Sequence, residues 1–497
     1  MHVFHIIKKN KGILLRILFL GSVCILAFFS LHLQSIHLGV ADLANISIKY
    51  ASPVRTIDPA SVGMDISGYG YPNVFANDQR EQQQLKALGV KYMRLDLKYS
   101  VSGDPNSKIV CAGNGCDTRW TGDQWVEAVK AIGATPVIIV HYTVVDAVNM
   151  VKHFNKDTHN YVQDWIIGNE PDLAGMDVAT YSNDFNTEYD AMKAVDATLK
   201  IGGGATAWFD TPFLQTFLQR CGSKVDFVDF HVYAQKGDVP GNTVQLFREA
   251  AAYDSDINDL RTLIEKVVPA RASQIGIEVG EWELNWGGSA QDDSNFHAVW
   301  AASVMGHMLS AGARSLFYAD KYNALYGDTQ TITDSYKHVV TIHPDDPNPA
   351  YHGIGMFTGE GLFRGFGDTL VHADTALQNV EVYASDNPRN IVLINTSSSQ
   401  TQTAIINLNS IVFVNIDVWR KDETTIFNNP PVKVQSTFLR GNMFTYQLPP
   451  LSVTTLVLTP SFQNSPTSVI SPPRSGQRLP LFTLAPIDVF RPRAKAY

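Results

Sequence analysis

The run Asp164-Trp165-Ile166-Ile167-Gly168 stops on Asn169-Glu170-Pro171. An apolar strand core that ends this way leaves an amide and a carboxylic acid side by side at its C-terminal edge. Pro171 has no backbone N–H and blocks continuation of the ladder. A second apolar run, Ile275-Gly276-Ile277-Glu278-Val279-Gly280-Glu281-Trp282, also closes on a carboxylate. Cleavage of a glycosidic bond requires two such acids, one beside the leaving oxygen and one on the opposite side of the sugar. One Asn-Glu-Pro alone also fits an ordinary strand-to-loop junction. The second acid and the spacing of the strands favour chemistry.

The elements that must position these acids are legible as alternating apolar runs and amphipathic stretches. Candidate strands fall at 62–66, 91–95, 135–141, 164–169, 200–204, 225–231, 274–281 and 315–320. Amphipathic stretches lie between them at 78–88, 122–132, 144–154, 181–198, 212–220, 256–267 and 295–311. Strands apolar on both faces, each followed by a helix, indicate a parallel sheet. Eight such units fit an α/β fold of the (β/α)8 TIM-barrel type. An open doubly wound sheet is the competing architecture, but no Gly-x-Gly-x-x-Gly follows the first strand. Gly202-Gly203-Gly204 lacks that spacing and fits close packing or a bend.

Barrel enzymes carry their functional groups at the C-terminal ends of the strands. Those ends here offer Arg94 and Asp96, His141 and Tyr142, Asn169 and Glu170, His231 and Tyr233, Glu281, and then Tyr318 and Asp320. Three glutamates compete for the role of second acid. By strand alternation Glu281 shares a face with Ile277 and Val279, Glu278 points the other way, and Glu283 lies in the following loop. This favours Glu281. Trp208, Trp282 and Trp286 follow strands five and seven, where indole rings can stack on a sugar or simply pack a loop. Arg94 reads either as the cation that keeps a carboxylate ionised or as a structural partner of Asp96. His141 and His231 read as groups that bind a substrate hydroxyl, brace the carboxylates, or are satisfied structurally. No His-Glu-x-x-His or comparable spacing supports a metal site, and no cofactor motif is present.

Over residues 60–360 the chain resembles the large (β/α)8 clan of retaining glycoside hydrolases with catalytic glutamates on strands four and seven. It is most similar to the β-xylosidase/α-L-iduronidase-like family. The resemblance implies that Glu170 is the general acid/base and Glu281 the nucleophile. It implies that His231-Val232-Tyr233 is the His-x-Tyr after strand six, and that Arg94 is the arginine of strand two. Asn169, Arg94, His141, His231, Tyr233 and Trp282 are then the candidate substrate-binding residues. Glu170 is expected to need a pKa raised by burial and by the nearby anion. Many clan members place a Trp at the end of strand eight, where this chain offers Tyr318 or Tyr322.

Beyond 350 the pattern changes to short alternating runs separated by turn residues. This predicts an antiparallel β-sandwich over 351–460, with a catalytic barrel over 42–350. Ile46–Thr56, ahead of the barrel, is expected to add a strand to it. A Pro/Ser-rich tail follows at 461–497 and reads as disordered.

At the other end, Lys8, Lys9, Lys11 and Arg16 precede the apolar run Ile17–Leu31, so residues 1–41 read as a signal peptide or a signal anchor. The expectation is a secreted or membrane-anchored protein. Cys111 and Cys116 are then expected to form a disulfide, leaving Cys221 buried. Asn45 and Asn395 lie in glycosylation sequons.

The 497 residues are 45% hydrophobic and 18% charged, with a net charge of −9. They describe a large globular core and give no electrostatic reason for nucleic-acid binding. A glycoside, oligosaccharide or polysaccharide is the expected partner. A non-catalytic carbohydrate-binding or cell-surface protein on a degenerate barrel is the alternative, and retention of both acids argues against it.

Overall fold

The computed structural model describes residues 44–66, 75–99, 109–111, 120–235, 241–286, 289, 291–318, 324–334 and 337–461. The N-terminal targeting segment, the Cys111–Cys116 pairing, Asp320, Tyr322 and the C-terminal tail lie outside what is described.

The first strand, β1 (Ile46–Thr56), is followed by the barrel. Its eight strands are β2 (Gly63–Asp65), β3 (Tyr92–Tyr99), β5 (Thr135–Val140), β6 (Asp164–Ile167), β7 (Lys200–Thr206), β8 (Phe227–Gln235), β9 (Gly276–Asn285) and β10 (Arg314–Phe317). All eight pair in parallel, and β2 bonds to both β3 and β10, which closes the ring. A short strand, β4 (Ile109–Cys111), is appended antiparallel to β3. The helices are α1 (Gln79–Leu88), α2 (Gly122–Ala131), α3 (Val144–Lys152), α4 (Val178–Val195), α5 (Thr211–Cys221), α6 (Thr243–Val267), α7 (Asn295–Ala311) and α8 (Pro349–Thr358). Asp78, Asp177, Asp210 and Asn242 cap α1, α4, α5 and α6 by accepting bonds from first-turn N–H groups.

Strand alternation sorts the core into two layers. Val137, Ile139, Ile166, Phe227 and Leu316 fill the barrel interior, whereas Ile138, Val140, Trp165 and Ile167 face the helices. The glycine run on β7 serves packing, as expected. A Cβ on Gly202 would lie 2.1 Å from the Phe227 ring, and one on Gly203 would lie 2.6 Å from the Phe185 ring.

After β10 come a hairpin, β11 (Gln330–Thr333) with β12 (Val339–Ile342), and then a second sheet. Its strands are β13 (Thr369–Thr375), β14 (Val380–Asp386), β15 (Asn390–Asn395), β16 (Gln402–Lys421), β17 (Val432–Leu448) and β18 (Ser452–Pro460). The sheet folds over its own core of Ile48, Ile391, Leu393, Ile406 and Leu456. It differs from expectation in three ways. Ile46–Thr56 joins this sheet and not the barrel, pairing antiparallel with β13 and, at Ile46 and Ser47, parallel with β16. The expected boundary at 350 cuts through α8, which packs against the barrel. The runs expected as separate strands at 403–408 and 412–419 are one strand, with an irregular step between Asn407 and Val412.

Barrel and sheet belong to one compact unit. On α7, Ser303 donates to Glu381 at 2.8 Å, and His307 lies between Asp254 of α6 and Glu381 of β14. Asn295 donates to the Leu451 carbonyl at 2.9 Å. Asn395 is fully buried and its amide donates to three carbonyls, so in the fold it is not an exposed glycosylation acceptor. Cys221 is buried, as expected.

Candidate active site

Arg94 organises the barrel mouth. It is fully buried on β3, opposite Asp65 of β2. Nη1 donates to Asp65 and, at 2.6 Å, to Glu281 Oε1. Nη2 donates to Asn169 Oδ1 at 2.5 Å and lies 3.2 Å from His231 Nε2. A buried guanidinium makes strong charge-assisted bonds, and its fixed fork sets the relative positions of the groups that accept from it. Of the two readings of Arg94, the carboxylate cation matches this geometry, since Asp96 bonds instead to His141, 2.6 Å away.

Glu281 faces the mouth for a different reason from the alternation argument. Ile277 and Val279 pack toward the helices, which by simple alternation would send Glu281 there too. The register of β8 and β9 slips between Phe230–Val279 and His231–Glu281, so Gly280 is an extra residue. This bulge re-aims Glu281 inward, as bulges beside active sites do. Gly280 is required by space as well, since a Cβ there would lie 2.3 Å from Asp229 Oδ1. Tyr233 donates to Glu281 Oε2 at 2.6 Å. Glu278 is buried lower in β9, where burial and then Asp229 push its carboxyl up to about 8. Glu283 is paired with His297 of α7 at 2.6 Å.

Glu170 is held by a second irregularity. Its φ is +46°, left-handed for a residue with a Cβ, and follows Gly168 at φ +84°. Gly168 also admits the Tyr142 ring, which a Cβ would meet at 2.5 Å. The Glu170 N–H donates to the Ala205 carbonyl at 2.8 Å, and Ala205 is itself the extra residue of a bulge in β7. Strain at such positions persists where the surroundings over-determine it, commonly at functional sites.

The electrostatics correct one expectation. Burial raises the Glu170 pKa, but the hydrogen bond and charge of His231, with Arg94 adding, outweigh it and hold the carboxyl below its ordinary value. His231 Nδ1 lies 2.9 Å from Glu170 Oε1 and 3.5 Å from Glu281 Oε2. Burial lowers the His231 pKa, but Glu281, Asp229 and Glu170 raise it to about 10. Of the two groups, the imidazole is therefore the one that holds the proton, directed at Glu170.

Trp282 is a second correction. It is buried against Phe317 and Trp300, with ring centroids 4.9 and 6.1 Å away, so its faces are unavailable to a sugar. Half-exposed Trp286 and Trp208 remain at the rim, and Trp286 stands edge-on to Tyr233 at 6.3 Å. Tyr318, at the end of β10, stands edge-on to Tyr233 at 6.2 Å. His141 is partly exposed and bonded to buried Asp96. Asp65 and Asp229 were not anticipated. Each is an acid inside an apolar run of the sequence, Met64-Asp65-Ile66 and Val228-Asp229-Phe230, and that pattern was the available signal.

Among the described residues, two groups of three place potential ligand atoms within 4.8 Å of one another: Glu170, His231 and Glu281, and Glu283, Asp292 and His297. In the first group the Arg94 guanidinium already supplies the positive charge.

A closed parallel barrel with two glutamates facing each other at its mouth has the pair of acids that cleavage of a glycosidic bond requires. The family model for glycosyl hydrolases family 39 matches residues 143–422, more than half of the chain, and the chain belongs to that family. Comparison with curated proteins gives no match. Among solved structures, CelM2, a bifunctional glucanase-xylanase from a metagenome library, is similar with TM-score 0.62 and 17% identity, covering 84% of this chain and 99% of that one. A GH51 arabinofuranosidase from Xanthomonas axonopodis pv. citri gives TM-score 0.64 at 13% identity, covering 84% and 100%. A family 44 xyloglucanase from Paenibacillus polymyxa gives 0.61 at 13%, covering 83% and 99%. At such identities the likeness is one of fold.

Proposed function

We propose that the protein is an exported glycosidase that retains anomeric configuration, with Glu281 as nucleophile and Glu170 as general acid/base. The observation that carries this reading is the closeness of the two carboxylates, which present oxygens within 4.8 Å of each other. Retaining enzymes hold their carboxyl groups roughly 5–5.5 Å apart, whereas inverting enzymes leave about 6.5–9.5 Å for a water.

In the first step a Glu281 oxygen attacks the anomeric carbon and the bond to the leaving oxygen breaks. Glu170 passes a proton to that oxygen, and the His231 imidazolium at 2.9 Å can replenish it. Arg94 and the Tyr233 hydroxyl keep Glu281 ionised and fix its attacking orientation. The carbonyl oxygen of Asn169 is committed to Arg94, which leaves its NH2 as the donor to the sugar 2-hydroxyl. In the second step Glu170 takes a proton from water, which displaces Glu281 from the anomeric carbon.

The basic and then apolar N-terminus supports export, with cleavage or anchoring as its two outcomes. Similarity to β-xylosidases and α-L-iduronidases, and the named activities of the similar structures, support a neutral or uronic plant-type glycan as substrate. A panel of nitrophenyl xyloside, glucoside, arabinofuranoside and iduronide tests this. On the active member, Glu281→Gly should abolish turnover, and azide should restore it as a glycosyl azide of inverted configuration. Full turnover by that variant without azide would rule out Glu281 as the nucleophile.

A further inference from the structure

We propose that Asp229 is a positioning residue for the acid/base step: it holds the hydrogen on Nε2 of His231, so that the hydrogen on Nδ1 is the one exchanged with Glu170. This rests on the roles of Glu170 and Glu281 given above and adds the group that works behind them.

Asp229 and His231 lie two residues apart on β8, and both are fully buried. The imidazole stands between two carboxylates. Nδ1 lies 2.9 Å from Glu170 Oε1, and Nε2 lies 3.8 Å from Asp229 Oδ2. Nη2 of Arg94 also faces Nε2, at 3.2 Å. A guanidinium has N–H donors and no acceptor. It can donate to a bare Nε2 but cannot take a hydrogen from it. Of these two neighbours, only Asp229 can accept. The β9 bulge makes room for it, since a Cβ on Gly280 would lie 2.3 Å from Asp229 Oδ1.

Arg94 and Asp229 thus pull the ring in opposite directions. Arg94 favours a lone pair on Nε2, which would leave the hydrogen fixed on Nδ1. Asp229 favours a hydrogen on Nε2, which leaves Nδ1 to alternate between donor and acceptor. In the first step the Nδ1 hydrogen passes to Glu170 as Glu170 protonates the leaving oxygen, and the ring stays neutral with its Nε2–H toward Asp229. In the second step Glu170 takes a proton from water and returns it to Nδ1. One proton moves each way, and no other reactant is needed.

The charges that face this ring come from several strands. Glu170 lies beyond β6, Glu281 on β9 and Arg94 on β3, and Arg94 is bonded in turn to Asp65 of β2. Glu278 lies lower on β9, where burial and then Asp229 push its carboxyl up to about 8, so at neutral pH it adds no charge. Burial lowers the His231 pKa, but Glu281, Asp229 and Glu170 raise it to about 10.

The test uses the full chain with Asp229→Asn, which keeps the shape and removes the charge. A nearby opposite charge shifts a pKa by about 1–3 units toward the charged form. In the variant, His231 should therefore lose its proton about one pH unit lower or more, read from the ring nitrogens of 15N-histidine-labelled protein. The basic limb of kcat/KM on a phenyl glycoside should move the same way. A dinitrophenyl glycoside, whose leaving group needs no proton, should lose much less activity than the phenyl glycoside. Structural damage would lower both alike. An unchanged His231 titration, or equal losses on the two glycosides, overturns the proposal and leaves the glutamate roles standing. If Glu170→Ala also fails to discriminate between the two glycosides, the role of Glu170 falls, and the proposal with it. Should Asp229→Asn fail to fold, neutron diffraction from wild-type crystals decides. A hydrogen on Nε2 directed at Asp229 supports the proposal, and a bare Nε2 facing Arg94 refutes it.

Discussion

At the scale of residues, the site is a charge network centred on one buried cation. Arg94 is shared by Asp65, Glu281 and the Asn169 amide, and Tyr233 supplies the other bond to Glu281. A hydrogen bond to a charged group contributes about 1.5–3 kcal/mol. Tyr233→Phe should therefore lower kcat by about tenfold to a hundredfold, with the fold unchanged by circular dichroism. An unchanged kcat would remove Tyr233 from the machinery. Most of these residues were legible in the sequence, because strand ends in a barrel are where polar groups at the close of apolar runs collect. Their mutual contacts were not. Asp65 and Asp229 sit within the runs and not at their ends. Trp282 looked like a rim aromatic because a bulge two positions earlier, at Gly280, changes which side of the strand is inside.

At the scale of elements, two bulges and the α7 interface carry the account. The bulges at Ala205 and Gly280 aim Glu170 and Glu281, and neither is visible in an alternation pattern that assumes an unbroken period of two. The strands themselves were legible, since runs buried on both faces have few alternatives. The partner of β1 was not, because alternation marks a strand without saying which sheet it joins. On α7, burial lowers the His307 pKa, but its bonds to Asp254 and Glu381 raise it to about 9. A folded pKa above the unfolded value of about 6.5 means stabilisation that is complete below that pH and lost as pH rises through about 9. Wild type should therefore lose more stability than His307→Gln between pH 6.5 and 9, measured by Tm across buffers. Parallel curves would show that His307 does not link barrel and sheet in this way.

At the scale of the whole molecule, the second sheet takes its strands from both sides of the barrel in the chain, which makes the two parts interdependent. A chain ending at Ala350 would cut α8 and leave β1 without β13. It should fail to fold, seen as loss of a cooperative thermal transition, and a cooperative fragment would show the barrel to be independent. The assembled mouth is proposed to cleave a glycosidic bond by double displacement. Oxygens of Glu170 and Glu281 within 4.8 Å of each other match the shorter carboxylate separation of retaining enzymes, which is what supports the proposal that the sugar passes through Glu281. Proton NMR of the first product released from an active aryl glycoside measures this directly. Double displacement predicts that the initial product has the anomeric configuration of the substrate, before mutarotation. Initial release of the opposite anomer would contradict it.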